Sequence, residues 1–202
     1  MRLHRFYISK NIGDSLDFSI DSYELSNQLR KVFRYKTGDS VILFDNSGFE
    51  YIANIADFEK DIVKFEIIEK SDKRGLIGKN TILFSSLVKK DTFEWIAEKA
   101  TELGISEIYP VMSERREKKN INEDRLNKIV IEASEQCGRV TIPKINKIVS
   151  LSEAIDFVKN NNIKAVAYHT ETTNTDNKSS FEAVFIGPEG GYTENEIKLF
   201  EE

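Results

Sequence analysis

The hydrophobic period of this chain changes once, near residue 75, and that change limits what the two sides can become. On the near side, apolar residues come in short runs. SVILFDNSGFEYIANI (40–55) sets two apolar segments around Asn46-Ser47-Gly48, which is a β-hairpin pattern. IVKFEII (62–68) is a third strand, rich in β-branched residues, and YELSNQLRKVF (23–33) has the spacing of a short helix. Residues 1–72 therefore point to a small barrel or sandwich rather than a βαβ unit. The polar stretch SDKRGLIGKN (71–80), with two glycines, is the expected domain boundary.

Over 73–202 strands and helices alternate. NTILFSSLV (80–88) is a nearly continuous apolar run, as in a buried parallel strand. DTFEWIAEKATELG (91–104) follows as a helix. Asp91 and Glu94 have capping-box spacing, Phe93, Ile96, Ala100 and Leu103 share one face, and Gly104 is a stop. ISEIYPVM (105–112) is a strand. The helix over 123–139 turns Leu126, Ile129, Val130, Ala133 and Cys137 inward. SLSEAIDFVKNN (150–161) is a capped helix, IKAVAYH (163–169) and EAVFIG (182–187) are strands, and Thr193 with Glu196 caps a last helix. The fold class is α/β with a mostly parallel sheet. TETTNTDNKSS (170–180) reads as a polar loop.

Composition narrows the function classes. A chain of 202 residues holds one large domain or two small ones, and 40% apolar with 31% charged residues is ordinary for a globular protein. No run approaches the ~18 apolar residues of a membrane span, and MRLHRFYISKN has no signal-peptide core. The single cysteine, Cys137, fits a reducing compartment, so cytoplasmic is the expectation. One Cys and two His, His4 and His169, argue against a zinc site, and no metal is expected. A net charge of −5 argues against indiscriminate nucleic-acid binding. Basic clusters remain in residues 1–36 and at Arg115, Arg116, Lys118 and Lys119, with solvated surface as their plain alternative.

FIGPEGGYTENEI (185–197) is the stretch that carries chemistry. Its glycines at 187, 190 and 191 match neither G-x-G-x-x-G nor G-x-x-x-x-G-K-[ST]. No lysine or arginine follows until Lys198, and Glu189 inside the turn would repel a phosphate. A ligand with less phosphate character and some positive charge fits better, read by backbone groups that glycine lets come close. The crevice at the carboxyl ends of the strands is its expected place. A plain strand-to-helix turn is the alternative.

Four segments together resemble a known family: IGPEGGYTENE, EKATELGISEIYPVMSERRE, EASEQCGRVTIPKI and, near the N-terminus, HRFYI. They look like the RsmE-type 16S ribosomal RNA (uracil-N3) methyltransferases, over essentially the whole chain. The resemblance implies an N-terminal PUA-like β-barrel that helps hold RNA and a C-terminal SPOUT α/β domain of the trefoil-knot type. It implies a homodimer, S-adenosylmethionine as cofactor, and methylation of a uracil N3 in 16S ribosomal RNA of the small subunit.

Matched residue by residue, Gly187, Pro188, Glu189, Gly190 and Gly191 look like a cofactor loop, with Tyr168, His169 and Thr170 as neighbours of the cofactor. Arg5, Arg115, Arg116 and Arg139 match basic positions expected at RNA phosphates. The catalytic base is not identified; Arg139 and His169 are the candidates, and Glu132 and Gln136 share a helix face that could meet Arg139. Methyl transfer from a sulfonium is an in-line displacement, which needs positioning and loss of the N3 proton but no cysteine nucleophile, so Cys137 is expected to be a packed helix residue. The family pattern continues with a further strand and an LG-x-RILR-x-ETA-like segment, whereas this chain ends at Glu202. The expectation is therefore an incomplete knot in this chain. A non-catalytic RNA-binding protein and a small-molecule α/β enzyme stand as the alternative readings.

Overall fold

The computed structural model describes residues 3–76, 78–116, 120–168 and 181–201. The chain forms two compact units, Met1–Ile77 with Ser134–Thr141, and Gly78–Ala133 with Ile142–Glu202.

The first unit is built on strands β1 (Arg5–Tyr7), β2 (Asp17–Asp21), β3 (Ser40–Phe44), β4 (Phe49–Glu59) and β5 (Ile62–Asp72). They form one sheet in the order β1-β3-β4-β5-β2, with β1 parallel to β3 and the other pairs antiparallel. The expected hairpin joins β3 to β4, with Asn46 and Gly48 at positive φ. Register shifts at Ile52/Ala53 and Ile55/Asp57 bend the long β4–β5 ribbon. All five strands send side chains into one core, among them Phe6, Phe18, Leu43, Tyr51 and Phe65. The helix expected over 23–33 is two pieces: α1 (Tyr23–Asn27), capped by Ser22 Oγ accepting from Leu25 N, and a π-helical turn over Gln28–Val32. Strand β2, DFSID, escapes a period-based reading because only Phe18 is buried and aspartates flank it. Such charge suits a sheet edge.

The second unit contains β6 (Ile82–Ser86), α2 (Lys90–Glu102), β7 (Glu107–Met112), most of α3 (Glu123–Cys137), β8 (Lys144–Ile145), β9 (Val149–Ser150), α4 (Leu151–Asn160), β10 (Ala165–Tyr168), β11 (Ala183–Ile186) and α5 (Glu194–Glu201). The sheet order is β10-β11-β6-β7-β8, with β9 also on β7, and every pair is parallel. Alternate residues of β6 serve two cores. Ile82 and Phe84 pack with α4 and α5, while Leu83 packs with α2 and α3. This is why 80–88 reads as continuously apolar: both faces of the strand are covered by helices.

Three local expectations need correction. Helix α2 starts at Lys90 with Lys89 as its N-cap and no side-chain cap bond, so Asp91 and Glu94 do not form a capping box. Glu94 instead lies 3.3 Å from Arg125 Nε and 3.6 Å from Lys90 Nζ. Leu103 is 84% exposed. Gly104, at φ +92, ends the helix in a Schellman arrangement, with Ile105 N donating to Ala100 O and Gly104 N to Thr101 O. Ile105 then packs on the core in place of Leu103. Cys137 is exposed rather than packed. Helix α3 buries Leu126, Ile129, Val130 and Ala133 as expected, but from Ser134 onward it belongs with the first unit and leaves that core.

Candidate cofactor site

From β6 the chain moves through α2 to β7 and then to β8 and β9 on the same side. From α4 it crosses to the far edge at β10 and returns inward to β11, beside β6. Strands β11 and β6 are thus neighbours approached from opposite directions, which makes their carboxyl ends a topological switch point. The register brings those ends level: Tyr168 pairs with Ile186, Ile186 with Ser85, and Ser86 with Val111.

The glycine turn leaves β11 at this point. Gly191 N donates to Pro188 O at 2.8 Å, closing a four-residue turn with Gly191 at φ +68. Tyr192 folds back beneath it. A Cβ on Gly187 would lie 3.1 Å from Tyr192 Cε2, so the glycine is what lets the ring close against the backbone. The Tyr192 ring packs on Phe200 at 5.1 Å between centroids. Below it, Phe185, Phe84 and Tyr109 stack across three adjacent strands at 4.5 and 5.0 Å. Burial pushes the Tyr192 phenol well above its ordinary value, with nearby Ser86 opposing and Glu196 reinforcing.

Two side chains tie the turn to the segment that follows β7. The Glu196 carboxylate is 3% exposed. Its Oε1 accepts from Glu114 N at 2.8 Å and its Oε2 from Thr193 N at 2.9 Å, while Thr193 Oγ1 accepts from Glu196 N at 3.3 Å. The expected capping box is therefore present, and one carboxylate joins two loops. Arg115 donates to Gly190 O at 2.6 Å. Arg116 donates to Ser113 O at 2.9 Å. Among the described residues the buried Ser86 Oγ and Ser113 Oγ, together with Arg116 Nε, have no hydrogen-bond partner.

The expected site residues thus divide. Gly187, Pro188, Glu189, Gly190, Gly191, Arg115 and Arg116 belong to this second unit, and the first and last of the glycines have steric or conformational reasons to be glycine. The backbone of Tyr168 ends β10 level with the turn, whereas His169 and Thr170 lie outside the described residues, as do Lys118 and Lys119. Arg5 and Arg139 belong to the first unit. The Arg5 side chain is 9% exposed, pairs with Glu50 and donates to Arg139 O at 3.0 Å. Tyr7 N donates to Glu135 Oε1 at 2.9 Å, so β1 and the end of α3 are laced together. Arg5 thereby has a structural duty that its position in the sequence did not reveal. Burial lowers the pKa of the half-buried Arg139, and its guanidinium donates to Thr141 Oγ1 at 3.4 Å. Glu196, Ser86 and Ser113 were not singled out as site residues. Only Glu196 carried a signal, its capping-box spacing.

Comparison with known proteins bears on this geometry. The RNA methyltransferase domain family matches residues 78–202, which is the larger part of the chain and contains the whole site. The chain belongs to this RNA methyltransferase family. The RNA methyltransferase PUA domain matches residues 29–68 in the first unit. The chain is similar to ribosomal RNA small subunit methyltransferase E of Rickettsia conorii, 29% identical over 98% of this chain and 83% of that one. The crystal structure of ribosomal RNA small subunit methyltransferase E from Neisseria gonorrhoeae, bound to S-adenosyl methionine, superposes with a TM-score of 0.84. It is 29% identical, over 99% of this chain and 86% of that one. A putative methyltransferase from Legionella pneumophila in complex with the same cofactor gives 0.84 at 25% identity, over all of this chain and 86% of that one. The RNA methyltransferase carries a PUA-like strand sheet followed by a parallel α/β domain of the SPOUT type.

Proposed function

We propose that this RNA methyltransferase uses S-adenosylmethionine to methylate a uracil N3 in 16S ribosomal RNA of the small ribosomal subunit. The observation that carries the reading is the stapled glycine turn at the switch point, in a chain similar to a methyltransferase bound to that cofactor. The residues present suit it. Backbone groups of Gly187–Gly191 can read an adenine edge, the orphaned Ser86 and Ser113 hydroxyls can bond a polar ligand, and the turn presents no lysine or arginine for a phosphate. Tyr168, His169 and Thr170 complete the proposed cofactor neighbourhood. When bound, the cofactor supplies the electrophilic methyl. The chain's own residues orient it and hold the RNA, with Arg115 and Arg116 toward phosphates and Arg5 and Arg139 supporting the first unit. Arg139 and His169 remain the proposed groups for handling the N3 proton.

Calorimetric titration with S-adenosylmethionine, followed by transfer of labelled methyl to small subunits lacking the modification, tests this. Saturable binding and a 3-methyluridine product are expected. RNA binding without cofactor binding would instead establish the non-catalytic reading. Replacing Arg115 and Arg116 together by Ala should flatten the slope of log K against log salt by about 1.4–1.8, as for two lost phosphate contacts. An unchanged slope would remove both from the RNA surface.

We further propose that the protein works as a cytoplasmic homodimer. Among the described residues no helix is long and apolar enough to cross a membrane, and no group of three or more His, Cys, Asp or Glu could hold a metal ion. Trp95 on α2 is 59% exposed, which suits a surface that a second copy covers. Trp95→Glu should shift the sedimentation profile from dimer to monomer; a profile identical to the parent's would exclude α2 from the interface.

A further inference from the structure

Building on the RNA methyltransferase reading, we propose that a cavity where α2 and α3 begin is a pocket for one unstacked nucleobase that neighbours the methylated one. The cavity measures about 100 Å³. Val88, Phe93, Ile121 and Leu126 form its apolar walls, and Lys90 and Asn120 stand at its exposed rim. An engineered cavity of ~150 Å³ takes up a whole benzene ring, so this one accepts a flat ring inserted part-way from solvent. The Phe93 ring gives a base something to stack on, and the Asn120 amide offers both a donor and an acceptor to its hydrogen-bonding edge.

The electrostatics favour the same occupant. Glu94, the one acid on the lining, is neutralised by Arg125 at 3.3 Å and Lys90 at 3.6 Å. The cavity therefore combines an apolar interior and an amide with a cationic mouth, which matches a base attached to an anionic backbone.

Its position is also suited to a neighbour of the reacting base. Val88 and Phe93 pack on the α2/α3 face of the sheet, whereas Tyr192 under the cofactor turn packs on the α4/α5 face. Ser86, which faces Tyr192, and Val88 are two residues apart, so their Cα atoms are separated by at most about 7 Å. An RNA strand crossing this edge of the sheet can present one base to the turn and seat the next in the pocket.

The test is amide NMR on the whole chain, titrated separately with free uridine, cytidine, adenosine and guanosine. At least one nucleoside should move the amides of Val88, Phe93 and Ile121. Asn120→Phe, which plugs the mouth from an exposed position, should abolish those shifts. It should also weaken binding of a fluorescein-labelled oligouridine about ten- to a hundredfold, the worth of one stacked base. Asn120→Ala, which removes the amide without adding bulk, should weaken it less and serves if the phenylalanine variant fails to fold. The proposal is overturned if no nucleoside moves these amides, or if the folded variants bind the oligonucleotide like the parent. S-adenosylmethionine titration of the parent separates this failure from failure of the methyltransferase reading, since it does not involve the pocket.

Discussion

Replacing Glu196 by alanine is expected to lower unfolding stability by about 2–5 kcal/mol and to weaken S-adenosylmethionine binding with it. The carboxylate is 3% exposed and is the acceptor for two backbone amides from separate loops, Glu114 N and Thr193 N. Alanine leaves both donors without their acceptor, and each such group costs about 1–3 kcal/mol when water cannot reach it. The loss of the capping box at the start of α5 adds to this. Glu196→Gln keeps one carbonyl acceptor but turns an amide N–H₂ toward the second donor, so an intermediate loss is expected. Denaturant unfolding of the two variants measures the first effect and calorimetry the second. A Glu196→Ala protein within about 0.5 kcal/mol of the parent would mean that water replaces the carboxylate and that the staple is not structural.

How far this was legible in the sequence depends on whether the cause was local. The alternation in ILFSS, the Ser150–Glu153 and Thr193–Glu196 caps and Gly104 act within a few residues, and strand β6, helices α4 and α5 and the end of α2 follow them. Where the reading failed, a distant partner decided. Glu94 has capping spacing from Asp91 but is held by Arg125, 31 residues on. Cys137 lies on the apolar repeat of α3, yet that end of the helix belongs with β1 in the first unit. Strand β2 is polar because it borders the sheet and pairs with β5 alone. The site shows the same division. The glycines of the turn announce a close approach, but nothing local announces that Glu196 reaches the segment after β7 or that Ser86 and Ser113 leave unpaired hydroxyls beside it. Conversely, Arg5 reads as a basic residue free for RNA until Glu50, 45 residues away, is seen to hold it.

Gly187→Ala should weaken S-adenosylmethionine binding about ten- to a hundredfold while leaving the first unit intact. The added Cβ would sit 3.1 Å from Tyr192 Cε2, 3.3 Å from Cδ2 and 3.4 Å from Cζ, against the side of the ring. The ring has little room to retreat, because it is 5% exposed and packs on Phe200. Overpacking of this kind costs about 1–3 kcal/mol. Much of that strain falls on the turn, since the ring is held from below by the aromatic stack and the turn has an open side. At about 1.4 kcal/mol per tenfold change, the affinity loss follows. Two comparisons make the cause specific. Gly190→Ala meets only Arg115 Cδ at 3.4 Å, an ordinary contact, so any affinity it loses reports ligand approach rather than packing. In a Tyr192→Ala background the clash is gone, and Gly187→Ala should then change affinity less than threefold, a coupling that a double-mutant cycle reads directly. If Gly187→Ala proves equally harmful with and without the Tyr192 ring, the glycine is required by the ligand itself and not by the ring beneath the turn.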